Sequence, residues 1–294
     1  MKAKAREGFS PVAYLLCTLV VIVTLVFCVC AGSVNVPVKE TVSLIWKAII
    51  GAEIPQSMAK SIILNVRLPR VLCVGFVGAS LSICGAAMQG LLRNPLADGT
   101  TLGVSSGASI GAILAIAFNI SIPGFEGGGT VFMAMVFAFL ALIIILGLAY
   151  KLDYTLSTNT IVLIGVIFTM FANSIVSLLV TFAGERVKTI MFWTMGSLAG
   201  SSYSNVITIA ISFVICSAAL LNCARELNAF AISEDNARNI GVNVRRVKII
   251  VMVAVSALIG VSVSIGGTID FVGLVIPHMT RMVTGPNHKK LLPA

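Results

Sequence analysis

The chain is 294 residues long, with 58% of them hydrophobic and only 11% charged, and its mean hydropathy is +1.04. A water-soluble domain carries about one-quarter charged residues because its surface must face water, so this composition excludes one and requires an outer face satisfied by lipid. The net charge of +9 comes without a soluble basic face, which excludes nucleic acid as a partner.

A helix that crosses a bilayer needs roughly 20 mostly apolar residues. In chain order, runs of that kind cover 12–32, 68–92, 100–118, 130–150, 159–183, 205–223 and 247–267, and a shorter eighth covers 271–283. Unpaired backbone groups are too costly in hydrocarbon for open strands. The expected fold is therefore all-α, a polytopic helical bundle forming a single transmembrane domain over 1–294. The first run follows Lys2, Lys4 and Arg6. It exceeds the roughly 7–15 apolar residues of a secretory signal, so it is read as a retained first helix. With the N-terminus in the cytoplasm, the inner segments also hold Arg93, Lys151, Arg225, Arg238, Arg245, Arg246, Lys248, Arg281, Lys289 and Lys290. The outer ones hold Lys39, Lys47, Lys60, Arg67, Arg70, Arg186 and Lys188. This inward bias of Lys and Arg sets the orientation of a multi-pass protein of the cell membrane.

Gly75, Gly78, Ser82 and Gly85 in the second run, and Gly103, Gly107 and Gly111 in the third, offer small faces on which helix backbones approach closely. Between these runs, Arg93-Asn94-Pro95-Leu96-Ala97-Asp98-Gly99 interrupts the apolar pattern without a generous polar loop. Such breaks occur where backbone lines a cavity, and also where a helix is simply capped. The joint Leu156-Ser157-Thr158-Asn159 is open to the same two readings, since Ser, Thr and Asn are good N-caps. The longest inner polar segment, 225–246, has the pattern of two short helices. Ser233 suits an N-cap, Glu234 and Asp235 suit a first turn, and Gly241 suits the position after a last turn. The segment is either a solvated loop or a docking surface for a cytoplasmic partner.

The seven cysteines, Cys17, Cys28, Cys30, Cys73, Cys84, Cys216 and Cys223, fall within the runs and form no CxxC pair. They are read as small buried hydrophobes. The two histidines, His278 and His288, are too few for a zinc-type cage, and the spans carry no catalytic constellation. No GxxxxGK[ST] phosphate loop is present. No cofactor or metal is expected on this chain, and ATP, if it drives the protein, binds to another.

Several ordered motifs resemble the FecCD family of ABC importer permeases. They are Arg67-Leu68-Pro69-Arg70, Gly85-Ala86-Ala87-Met88-Gln89-Gly90, Arg93-Asn94-Pro95-Leu96-Ala97-Asp98 and Leu102-Gly103-Val104-Ser105-Ser106-Gly107-Ala108. Trp193-Thr194-Met195-Gly196-Ser197-Leu198, Ser233-Glu234 through Arg238 and Gly241, and Phe271-Val272-Gly273-Leu274-Val275-Ile276-Pro277-His278 come after them in order. The resemblance implies a permease of the type II importer kind, moving an iron siderophore, haem or cobalamin by alternating access. It implies a cytoplasmic ATPase dimer below, a substrate-binding protein above, a second permease copy or paralogue alongside, and lipid around. It assigns Arg67 and Arg70 to binding-protein docking, where rim charges steer association. It assigns Asn94, Leu96, Ser157 and Thr158 to an inner gate of the pathway, and Ser233, Glu234, Arg238 and Gly241 to ATPase coupling. His278 is expected to take a structural hydrogen bond.

Two departures stand out. Gly99 occupies the position where many relatives have Pro, and relatives continue past Leu291-Leu292-Pro293-Ala294 through two more helices. About eight of ten spans are therefore expected here, as a C-terminally shortened subunit. The rival class is an ion-coupled secondary transporter, for which Asp270 is the ionisable candidate.

Overall fold

The structure, a computed structural model, describes residues 11–122 and 127–294, so Lys2, Lys4 and Arg6 lie outside the described residues. The regular elements are helical. In order they are α1 (Pro11–Cys30), α2 (Val38–Ile49), α3 (Met58–Lys60), α4 (Leu68–Leu92), α5 (Val104–Ala117), α6 (Gly128–Leu152) and α7 (Thr158–Phe182). Beyond these come α8 (Val187–Thr194), α9 (Tyr203–Asn222), α10 (Ala224–Phe230), α11 (Glu234–Asn239), α12 (Val244–Gly266), α13 (Val272–Thr284) and α14 (His288–Leu291). A π-helical segment, Ser61–Arg67, joins α3 to α4, so that Met58–Leu92 is one continuous helix of 35 residues.

Six helices among the described residues are long and apolar enough to cross a membrane: α1, the α3–α4 rod, α6, α7, α9 and α12. The third and eighth expected runs are shorter, with 14 residues in α5 and 13 in α13. The architecture is the expected all-α polytopic bundle, with six full-length spans, α5 as a short apolar helix where a full third span was expected, and α13 as short as the eighth run.

Packing depends on the small residues. In lipid, helices gain little by hiding apolar surface from apolar tails, so close backbone approach holds them together. A β-carbon added at Gly107 would collide with Ala141 of α6, and one at Gly111 with the Met133 carbonyl. These two glycines let α5 lie backbone to backbone on α6. Gly103 does not share that face. It precedes α5 in a left-handed conformation, φ 76°, and lies against the Gly165 carbonyl of α7. In α4, Gly85 meets Gly273 at the start of α13, whereas Gly78 faces open space and Gly75 meets only the Leu25 side chain. α4 and α12 are the most enclosed of the long helices and carry buried Ser80, Ser256, Ser262 and Ser264. Over most of its length α1 is exposed on the outside.

Among the helices outside the apolar runs, two stand apart from the α3–α4 rod, the polar segment 225–246 and the chain end, α2 and α8. α2 is amphipathic: it buries Thr41 and Leu44 and exposes Val42, Trp46 and Ile49. α8 buries only Ile190 and leaves Phe192 exposed. Neither has the uniform apolarity of a span. Cys73, Cys84 and Cys223 are buried as expected, but Cys17 and Cys28 lie exposed on α1, where the surrounding apolar side chains face outward as well.

Candidate functional site

At one end of the bundle stand the arginines of the α3–α4 rod. The Arg67 guanidinium reaches back to α1, donating to the carbonyls of Val29 at 3.1 Å, Cys30 at 2.8 Å and Val34. The last carbonyls of a helix have no partner within it, and a cation there also complements the helix dipole, so Arg67 caps α1. Gly32 provides the room, since a β-carbon there would strike the guanidinium. Arg70, one turn further along, is exposed. Both line a recess of about 570 Å³ between α1 and α4. We expect Arg67→Ala to loosen α1 and lower the melting temperature in detergent, and Arg70→Ala to leave it within about 0.5 kcal/mol of wild type, as for an ordinary surface site; differential scanning fluorimetry of both variants checks this.

At the opposite end, the α4 helix stops where Arg93 turns left-handed, φ 51°. Asn94 then closes a local turn, its Oδ1 accepting from the Leu96 N–H at 2.9 Å, and leaves the Leu96 side chain 71% exposed. The joint between α6 and α7 is built on Asp153. Its carboxylate accepts from Thr155 N–H at 2.8 Å, Thr155 Oγ1 at 2.6 Å and Ser157 N–H at 3.0 Å. Hydrogen bonds from Thr155 and then Ser157 hold that carboxyl well below the usual carboxylate range. Ser157 is the N-cap of α7, accepting from Thr160 N–H at 3.4 Å, and Thr158 is the first residue of the helix, half-buried. Both joints therefore have local turn and cap chemistry. No hydrogen bond joins the Asn94 turn to the Ser157 turn among the described residues.

The polar segment 225–246 does form two short helices. Ser233 caps α11, its Oγ accepting from Asn236 N–H at 2.9 Å, and Gly241 ends the segment at φ 89°. Glu234 makes two ion pairs, with Arg238 at 3.0 Å and with Lys248 at 2.9 Å. The exposed Arg238 pair contributes little, as surface pairs do. Lys248 differs: it is 1% exposed and also donates to the Leu156 carbonyl at 2.7 Å. On α10, Asn228 Oδ1 accepts from the His288 backbone N–H at 2.8 Å and lies 2.9 Å from His288 Nδ1, while its Nδ2 donates to Asn287 at 2.9 Å. These two polar knots, at Lys248 and at His288, tie the segment to α12 and α14. The sequence signals for them were a lysine inside an apolar run and a histidine in a polar turn. An ionisable group in such a place must find a partner.

Deeper in the bundle, two irregular stretches face each other. Residues 99–103 and 267–271 precede α5 and α13, and Asp98, Gly99 and Phe271 line one narrow crevice with Leu81 and Cys84 of α4. The motif beginning at Trp193 closes this level from the side. Ser197 N–H donates to the Gly266 carbonyl at 2.7 Å, and Thr268 Oγ1 to the Thr194 carbonyl at 2.7 Å. Discontinuous helices satisfied by neighbours in this way are tolerated at membrane depth. Asp270 is exposed. His278 is also exposed and has no hydrogen bond among the described residues, so the structural bond expected of it falls to His288. No group of three His, Cys, Asp or Glu residues among the described residues could hold a metal ion.

The chain has clear relatives. A family model described as the FecCD transport family matches residues 19–294. The uncharacterized ABC transporter permease protein YvrB of Bacillus subtilis (strain 168) is 37% identical over 273 residues, covering 92% of this chain and 77% of that protein. The cobalamin import system permease protein BtuC of Halobacterium salinarum is 39% identical over 235 residues, covering 80% and 62%. A solved chain assigned as a metal-chelate type ABC transporter, in an inward-facing conformation, superposes with a TM-score of 0.83 at 31% identity, covering 97% of this chain and 85% of that one.

Proposed function

The chain belongs to the FecCD transport family and is a membrane subunit of an ABC importer, and from that premise we propose that it carries an iron chelate inward after delivery by a substrate-binding protein. The observation that carries this reading is the likeness to a metal-chelate type transporter along nearly the whole chain. In this proposal the N-terminus and the end holding Arg93, the α10–α11 segment and α14 face the cytoplasm. The segment Ser233–Gly241 receives an ATPase dimer there, and ATP is bound and hydrolysed on those partners. Arg70 steers the binding protein at the other end, and a second permease copy completes the pathway. Asn94, Leu96, Ser157 and Thr158 form its inner gate. The exposed joint at Asn94 and the half-buried one at Ser157 fit that role because their local turns can rearrange without breaking a long helix.

ATP and chelate drive transport only if each favours a different state of the subunit. An ion-coupled carrier is the weaker reading: Asp270, its ionisable candidate, lies exposed between α12 and α13.

The decisive experiment is uptake of labelled ferric siderophore, haem and cobalamin in cells expressing this chain with its ATPase and binding protein. Siderophore uptake that depends on all three chains is the expected result. Uptake of cobalamin or haem alone would move the substrate within the class, and uptake independent of the ATPase would remove the importer reading. Within that assay, Arg238→Ala and Gly241→Val should each lower co-purification of the ATPase while leaving membrane insertion intact. A β-branched residue at φ 89° is strained by about 1–2 kcal/mol, enough to reshape the end of α11. Normal uptake by both variants would sink the assignment of the segment.

A further inference from the structure

We propose that Lys248 is the positioning residue that carries movement of the α10–α11 segment to the mouth of α7, an inference that rests on the reading of that segment as the ATPase-facing surface. Lys248 is the fifth residue of α12, and its side chain is 1% exposed. A buried ammonium is tolerated only when it is paired and its donors are used. Here the ammonium donates at once to Glu234 Oε2 at 2.9 Å and to the Leu156 carbonyl at 2.7 Å.

The two acceptors belong to different elements. Glu234 is the first residue of α11, whereas Leu156 immediately precedes Ser157, the N-cap of α7. The Leu156 carbonyl is aimed by its backbone. Leu156 sits at φ 53°, is 3% exposed, and donates its own N–H to the Asp153 carbonyl at 2.9 Å. A non-glycine residue in that conformation is uncommon and persists where its surroundings hold it. The ammonium of Lys248 is one of those surroundings.

A displacement of α11 therefore has two outcomes. Either the Glu234 carboxylate leaves the ammonium, stranding a buried charge, or the ammonium moves with it and draws on the Leu156 turn. The second keeps the buried charge paired, so a push at α11 becomes a change in how α7 begins. Neighbouring contacts stiffen the same corner. Arg238 holds the other Glu234 oxygen at 3.0 Å, and the Arg245 guanidinium lies 4.6 Å from the centre of the Tyr150 ring at the end of α6.

The test uses the whole importer, this chain with its ATPase and binding protein, in proteoliposomes. In Lys248→Met, ATP hydrolysis by the assembled complex should persist while chelate moved per ATP falls at least tenfold. The charge-swapped double variant Glu234→Lys with Lys248→Glu separates transmission from stability. It restores the ion pair, so its melting temperature should return toward wild type. A carboxylate at position 248 cannot donate to the Leu156 carbonyl, so transport per ATP should stay at least fivefold low. Lys248→Arg, which keeps the donors, should recover part of it. Wild-type coupling in Lys248→Met, or full recovery of transport in the swapped variant, would overturn the proposal.

A second readout needs no ATPase. Spin labels on cysteines placed at Leu152 and Asn239, with Cys17 and Cys28 replaced, should report one narrow distance in the wild type. The distribution should broaden in Lys248→Met and in the swapped variant. An unbroadened distribution in both would overturn the link itself. Failure of the wild-type chain to bind any ATPase would instead overturn the reading of the segment, with the distance result still standing.

Discussion

Gly85→Val is expected to abolish recovery of folded protein from detergent extracts. Gly85 lies in the body of α4, where a β-carbon would run into the carbonyl of Gly273 at the start of α13. The obstacle is backbone on both sides, so no side-chain rotation relieves it. Gly273 is equally confined, since a β-carbon there would stand 2.9 Å from the Leu81 carbonyl. Overpacking of a close-packed interior commonly costs 1–3 kcal/mol and occasionally more, and this contact, which only a rigid separation of α4 from α13 can ease, belongs at about 3 kcal/mol or above. Gly85→Ala should be destabilised less, and Gly78→Ala, whose β-carbon meets nothing within 4 Å, should behave as wild type. Thermal melting of the three variants by size-exclusion recovery checks the order. A Gly85→Val protein that melts with the wild type would show that α4 and α13 do not touch as described.

Acidification is expected to release α14. His288 is 2% exposed, its Nδ1 bonded to Asn228 and its Nε2 turned toward Gly90 without a hydrogen-bond partner. Burial, with the Arg281 charge adding to it, holds the imidazole down to about 4 from its usual 6.5. In the docked state the ring stays neutral until the pH reaches about 4, whereas an undocked His288 takes up a proton near 6.5. The stabilisation is therefore complete above pH 6.5 and is lost as the pH falls from 6.5 toward 4. The gap corresponds to about 3 kcal/mol once the undocked ring is fully protonated. Amide hydrogen exchange of 288–292, corrected for intrinsic rates, should accelerate between pH 7 and pH 4.5, with exchange in the middle of α12 unchanged. His288→Gln should remove the pH dependence. A wild-type profile that is flat across this range would contradict the burial described for His288.

The bundle itself was legible because lipid imposes one requirement, a long uniformly apolar helix, that any sequence must display openly. The ends of α6, α7, α9 and α12 fall within a few residues of the runs read from hydropathy. Ser157, Ser233 and Gly241 were legible as helix-end residues because capping is local chemistry. What escaped was everything that depends on a distant partner. Nothing local to Arg67 shows that its guanidinium reaches three carbonyls more than thirty residues away in sequence. Lys248 looked like one more inner positive charge, but its place is decided by Glu234 and Leu156. The glycines of the third run suggest one shared face, but the left-handed turn at Gly103 rotates that residue onto α7 and leaves Gly107 and Gly111 on α6.

The two short helices have a consequence for how the protein is made. With 14 and 13 residues, α5 and α13 fall short of the roughly 20 that let an apolar segment enter a bilayer alone. Each must be accepted together with a companion. For α5 that companion is α6, which follows it in the chain and packs on it at Gly107 and Gly111. For α13 it is α4, made nearly two hundred residues earlier and already in place. One short helix thus leans on a later neighbour through Gly107 and Gly111, and the other on an earlier one through Gly85 and Gly273.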